Sequence, residues 1–221
     1  MKIDSRRFLF SLFSFLSLPG CVSLPERPPV ENPAAVWQAR AASLRPLADW
    51  EIQGRLSLRT ADEGWQAALT WSRRQDRHRI DLTGPLGHGH LRLTQEPGAA
   101  ELRDADQNVT RDSSVQQLLL RATGWQIPLE GLNYWVLGLP APDASNRLAL
   151  DAWGRLETLE QLGWDVRFLE YARYGEYELP SKVFIKRAAQ GVALPNGADH
   201  PTLEVRLVIE RWLIKGVRGE E

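Results

Sequence analysis

From Ile52 onward, apolar and polar residues alternate with a period of two over most of the chain. Ile52, Gly54, Leu56 and Leu58 share one face of a predicted strand, with Gln53, Arg55, Ser57 and Arg59 on the other. Ala61-Asp62-Glu63-Gly64 is a turn signal. Trp65, Ala67, Leu69 and Trp71 then alternate with polar or small residues, and Ser72 to Asp76 turns the chain. His78, Ile80 and Leu82 alternate with Arg77, Arg79 and Asp81. After Gly84-Pro85-Leu86-Gly87, the residues His88, His90 and Arg92 alternate with Gly89, Leu91 and Leu93. Glu96-Pro97-Gly98 turns again, and short strands follow over 99–103 and 108–111.

Three segments break this rhythm. Residues 34–47 predict a short helix, with Trp37, Ala41 and Leu44 spaced four and three apart and Pro46 near its end. Asp112 can cap a second helix over 113–122, whose stripe is Val115, Leu118, Leu119 and Ala122, with Gly124 as its stop. A third spans 129–137, ended by Gly138 and Pro140. Strands resume over 147–152, 154–162, 163–171, 183–189 and 203–212, and residues 190–201 form a polar loop. Many meandering strands with few helices predict a curved antiparallel sheet closing toward a barrel. The helices are natural covers for it, because open sheet edges must be closed or shielded. Alternation alone does not decide between a filled core and a cavity beneath them.

The N-terminus follows different rules. Lys2, Arg6 and Arg7 precede an apolar run from Phe8 to Leu18. That run is shorter than the roughly 20 residues a membrane-spanning helix needs. A basic start, a short apolar middle and small residues at the end describe an export signal over residues 1–20. Leu18-Pro19-Gly20-Cys21 resembles a lipobox, with Pro19 where Ala, Ser or Thr is usual. Cys21 is the only cysteine in the chain, so it has no internal disulfide partner and is either reactive or modified. Its place after the signal favours lipid attachment. Residues 21–33 then read as an acylated cysteine and a Pro-rich tether, reaching roughly 35–40 Å if extended. Residues 34–221 form the single domain. Val22 is compatible with the outer membrane, by resemblance to sorted lipoproteins.

Removing residues 1–20 takes away three basic residues and one acid, so the formal net charge of −1 becomes −3. That is no electrostatic footprint for nucleic acid. Nine Trp residues are a heavy share for this length and suit a core, a pocket or a membrane interface. No catalytic set stands out, and no cofactor is implied. His78, His88, His90 and His200 are the only histidines. A zinc site from the first three would want supporting ligands, so a solvated strand face is the better account of them. No phosphate loop or nucleophile elbow is present.

An ordered set of motifs resembles the LolB family of outer-membrane lipoproteins. It comprises Trp50 with Gly54-Arg55-Leu56, Trp71, and Gly84-Pro85-Leu86-Gly87. It continues with Leu118-Leu119-Leu120, Gly124, Pro128-Leu129, and Leu132 with Trp135, Gly138 and Pro140. It ends with Asp151, Gly154-Arg155-Leu156, Gln161, Gly163-Trp164, Tyr171, Leu179-Pro180 and Trp212. The resemblance implies a mainly β fold with covering helices, in which a curved antiparallel sheet forms an incomplete β-barrel around an apolar cavity. It implies a receptor that accepts acylated lipoprotein cargo from a soluble periplasmic carrier and inserts it into the outer membrane; separately, nothing in the sequence indicates a dimer, so a monomer is expected. It also implies that Leu86, held by Pro85 and Gly87, projects and touches lipid during insertion. The bland alternative for Leu86 is that it folds back on the sheet edge.

The concave wall is expected to comprise Ile52, Leu56, Leu58, Trp65, Leu69, Trp71, Ile80 and Leu82. A filled core would use the same residues. Arg55, Arg77, Arg79 and Arg92 are candidates for a basic patch facing an acidic carrier, though solvated strand faces explain them equally. The competing functions are a structural lipoprotein scaffolding an envelope assembly complex, and an envelope hydrolase.

Overall fold

The structure is a computed structural model and describes residues 28–60, 63–87, 89–123, 127–187 and 203–215. The expectations for residues 1–20, Cys21, Val22, His88, Gly124, His200 and the loop 190–201 lie outside these. Helix α1 (Pro33–Leu44) leads into β1 (Asp49–Arg59), β2 (Gly64–Arg74), β3 (Arg77–Thr83), β4 (His90–Glu96), β5 (Ala99–Arg103) and β6 (Val109–Asp112). Helices α2 (Val115–Thr123) and α3 (Leu129–Trp135) follow, then β7 (Asn146–Leu150), β8 (Leu156–Gln161), β9 (Trp164–Tyr174), β10 (Tyr177–Arg187) and β11 (Glu204–Ile214).

All eleven strands form one antiparallel sheet in the order β6-β5-β4-β3-β2-β1-β11-β10-β9-β8-β7. Two meanders, β1 to β6 and β7 to β11, are therefore joined by the β1–β11 pairing. The edge strands β6 and β7 do not pair with each other. The chain crosses from one edge to the other through α2 and α3, and that crossing covers the sheet's apolar face.

Two irregularities were invisible to alternation. Opposite Gln53 and Gly54, β11 carries one extra residue, Glu210. The bulge shifts the inward phase, so Val205, Leu207 and Ile209 are followed inward by Trp212. Bulges re-aim side chains in this way. Gly54 is required there, because a Cβ would lie 2.0 Å from the Val208 carbonyl oxygen. The second concerns Pro180, which reads as a strand breaker and hides the start of β10. The structure extends β9 to Tyr174 and starts β10 at Tyr177. Pairing of β10 with β11 covers only Lys182–Lys186, so Pro180 sits on a local edge where a missing N–H costs little. Helix α1 also stops at Leu44 rather than 47, two residues before Pro46.

One end of the sheet is densely filled. Trp50 and Ile52 have no exposed surface. The Trp50 ring meets Trp71 and Trp212 edge to face, with centroids 5.2 and 5.4 Å apart. A polar cluster ties α1 to the same end. Arg155 bonds Asp151 at 2.6 Å and Glu178 at 3.0 Å and lies over the Tyr171 ring. Arg40 of α1 reaches the Glu178 carboxylate at 3.4 Å and also bonds its carbonyl. Burial lowers the Arg40 pKa. Tyr171 donates to the Leu156 carbonyl at 2.8 Å, and burial raises its pKa. Gly154 lets this turn touch α1, since a Cβ would lie 2.7 Å from the Pro33 carbonyl oxygen.

Candidate functional site

The other end is hollow. A cavity of about 690 Å³ lies between the sheet and the two covering helices. Its wall is built from one phase of six neighbouring strands: Leu56 and Leu58 of β1, Trp65, Leu69 and Trp71 of β2, Ile80 and Leu82 of β3, Leu91 and Leu93 of β4, Ile185 of β10, and Val205 and Leu207 of β11. Six strands facing one cavity require a curved sheet. The roof is Leu119 of α2, with Ile127, Leu129 and Leu132 at α3. Polar lining residues Thr60, Glu63 and His90 lie in or beside the β1–β2 and β3–β4 turns, so the mouth is at that end.

Seven of the eight expected wall residues line this cavity. Ile52 does not: it belongs to the filled floor with Trp50. A cavity wall and a filled core are thus both present, at opposite ends of β1. Sequence reading missed Leu91, Leu93, Ile185, Val205 and Leu207. Each sits in the apolar phase of a strand recognised from its pattern, so the signal was present but the sheet order that brings them together was not.

The roof is fastened by polar groups. Gln161 is buried and accepts from Trp135 Nε1 at 3.1 Å and from the Ala141 N–H at 2.8 Å. Its Nε2 donates to the Ala141 carbonyl at 2.9 Å. An apolar side chain there would take this partner from Trp135 Nε1 and from both backbone groups of Ala141, each buried loss costing about 1–3 kcal/mol, and also from the Ala144 carbonyl. On the other side Arg73 donates to Asn133 Oδ1 of α3 at 3.1 Å.

The two described histidines, His78 and His90, do not converge. His78 is buried rather than solvated, and its Nδ1 accepts a 3.3 Å hydrogen bond from Trp71 Nε1. His90 borders the cavity mouth, and its Nε2 lies 3.2 Å from the Asp81 carboxylate, away from His78. Burial, then the nearby Arg73 charge, push the His78 pKa down from 6.5 to about 4. In the unfolded chain the imidazole takes up a proton near its ordinary value. Stability from His78 is therefore full above about pH 6.5 and declines as pH falls toward 4. His78→Gln keeps an acceptor for Trp71 and removes the titration. Its melting temperature is expected to change less than that of the wild type between pH 6.5 and 4; thermal melts across that range check this.

The basic patch does not form. Arg55 pairs with Glu210 at 2.8 Å, Arg77 with Glu96 at 3.8 Å, and Arg79 and Arg92 share Asp81 at 2.8 and 2.5 Å. Each of the four cations has an acid beside it on the outer face.

Leu86 projects. It is 96% exposed and sits in the left-handed region at φ 57°, followed by Gly87 at φ 77°. A branched side chain is uncommon in that conformation. Two backbone bonds hold the loop: the Gly87 N–H to the Gly84 carbonyl at 3.2 Å, and the Gly84 N–H to the Gly89 carbonyl at 2.9 Å. Gly89 of the same loop and His90, the first residue of β4, line the cavity, so Leu86 stands at the mouth.

The family model for outer membrane lipoprotein LolB matches residues 48–212. An outer-membrane lipoprotein LolB from Nitrosococcus oceani is 35% identical over 93% of this chain and 96% of its own length. One from Pseudomonas fluorescens is 38% identical over 92% and 95%. A solved LolA superfamily protein from Nitrosomonas europaea shares the fold, with a TM-score of 0.50 and 11% identity over 84% of this chain and 94% of that one.

Proposed function

This chain belongs to the LolB family, and from that premise we propose that it accepts acylated lipoproteins from a soluble periplasmic carrier and inserts them into the outer membrane. The observation that carries the reading is an apolar cavity whose mouth is bordered by an exposed leucine. Burying a 16-carbon chain is worth on the order of 10 kcal/mol, at roughly 0.8 kcal/mol per methylene. Cargo bearing such chains needs a dry groove at every stage. A methylene takes up about as much room as a water molecule, roughly 30 Å³. The cavity therefore has room for one such chain. Carrier, receptor and bilayer form a downhill series in affinity, and lipid on Cys21 keeps the receptor near the final acceptor.

Leu86 contributes at the last step. Burying one leucine is worth about 1.5–3 kcal/mol, enough for a brief contact and too little for an anchor. Its loop lines the cavity, so a chain leaving the mouth passes close to the site of lipid contact. A scaffolding lipoprotein would call for neither the cavity nor the projecting leucine. Leu86→Glu is expected to take up labelled lipoprotein from the carrier as the wild type does and to lose about tenfold or more in passing it to liposomes. Normal delivery by this variant would remove the role assigned to Leu86.

A further inference from the structure

A second leucine repeats the backbone signature of Leu86. Leu162 has φ 55° and is followed by Gly163 at φ 77°. Gln161 pairs with Trp164, so Leu162 and Gly163 are the two tip residues of the β8–β9 hairpin. Positive φ at both tip residues marks a turn for which Asn-Gly is the favoured pair. Leucine gains nothing from such a turn, and here its side chain is 47% exposed. Among the described residues, the other non-glycine positions with positive φ are Gln75, Gln107 and Asp143, all polar. The remaining large exposed apolar residues are Val36 on α1 and Leu169 and Leu213 within strands. Among the described residues, Leu86 and Leu162 are the two at turn tips.

The topology puts both tips at one end. Trp164 pairs with Arg187, Lys186 with Glu204, Glu204 with Arg59, and Arg59 with Gly64. The β8–β9 hairpin therefore lies at the end of the sheet that carries the β1–β2 and β3–β4 turns and the cavity mouth. Five strand spacings separate β3 from β9. That is about 24 Å along the curved sheet, which sets the two leucines on different sides of the mouth.

We propose that Leu162 is a second membrane-contacting residue, which acts with Leu86 to hold the cavity mouth against the bilayer. The proposal rests on the reading that Leu86 touches lipid. A single contact leaves the mouth free to pivot about one point. Two contacts on different sides of it fix its facing, so that a departing acyl chain meets lipid rather than water. Burying the exposed half of a second leucine raises the population of the docked state by about three- to tenfold.

The test uses the full chain, anchored in liposomes of phosphatidylethanolamine and phosphatidylglycerol. Because Cys21 is the only native cysteine and is acylated in this form, Leu162→Cys, Leu86→Cys and Leu169→Cys each carry a single free thiol. Each is labelled with an environment-sensitive fluorophore, in bilayers whose acyl chains bear a quencher. Quenching is expected at 162 and 86 and not at 169. Quenching at 86, with 162 matching 169, overturns the proposal and leaves the Leu86 reading intact. No quenching at either tip overturns both. A second variant separates contact from folding: Leu162→Asn supplies the residue the turn favours, so it is expected to melt at or above the wild-type temperature while delivering cargo several-fold more slowly. Wild-type delivery by Leu162→Asn overturns the proposal.

Discussion

Leu82→Glu is expected to leave the fold standing and to weaken binding of an acylated peptide by about 100-fold or more. Leu82 faces the cavity from β3 and is half-buried, because the cavity itself gives it surface. A carboxylate there can stay hydrated while the cavity is empty. An entering acyl chain must strip that water or force the group to take up a proton. Burying a charge without a partner costs several kcal/mol even after relaxation. The chain meanwhile gains only about 0.8 kcal/mol for each methylene it buries. The two effects act at the same spot, and the charge wins. Thr83→Glu is the control, since Thr83 is the next residue on the strand and faces the outer side. Titration of both variants with acylated peptide, beside their thermal melts, checks the result. Equal binding by Leu82→Glu and the wild type would mean that cargo does not enter the cavity.

Trp50→Ala carries the largest expected effect on stability. Trp50 has no exposed surface and packs edge to face on Trp71 and Trp212. Removing a fully buried Trp costs about 3–5 kcal/mol, from lost transfer energy and the void left behind. For a domain of this size that lowers the melting temperature by roughly 10 °C. The substitution opens the floor beneath the cavity, so acyl binding is expected to fall less than stability does. Calorimetry of the purified variant measures the first quantity. A loss below about 1 kcal/mol would mean that the floor repacks, and that the three tryptophans are not a fixed base for the wall.

The strands were legible because most of them bury one face, and a buried face writes itself as a period of two. Leu56, Leu58, Ile80 and Leu82 were readable as wall residues for that reason alone. What alternation cannot carry is which strands become neighbours. Ile185 and Leu207 look like any inward residues until β11 is known to pair with β1, at the seam between the two meanders. It also cannot say where along a strand the core stops and the hollow begins. Ile52 and Leu56 sit four residues apart in the same phase; one is sealed under tryptophan and the other faces empty space. Pro180 and the Glu210 bulge were hidden because both break a local rule, and the sheet around them makes the breach harmless. Several residues that first suggested the family, among them Gln161, Arg155 and Gly154, turn out to fasten the roof or the helix α1. They do not touch the cavity. Leu86 was the reverse case: an apolar residue at a turn tip has no local reason to be there, so its strangeness was visible from the start.

The central claim is that cargo acyl chains occupy the space between the concave face and the roof. Its most direct test is photocrosslinking from adjacent residues of opposite phase. A photoreactive side chain is placed at Leu56, Ile80 or Leu91, which line the cavity, and in parallel at Arg55, Arg79 or Arg92, which face outward. Each protein is loaded with acylated cargo from the carrier and illuminated. The expected result is crosslinking to the lipid part of the cargo from 56, 80 and 91 and none from 55, 79 and 92. Crosslinks from the outward positions, or none from the inward ones, would contradict the claim.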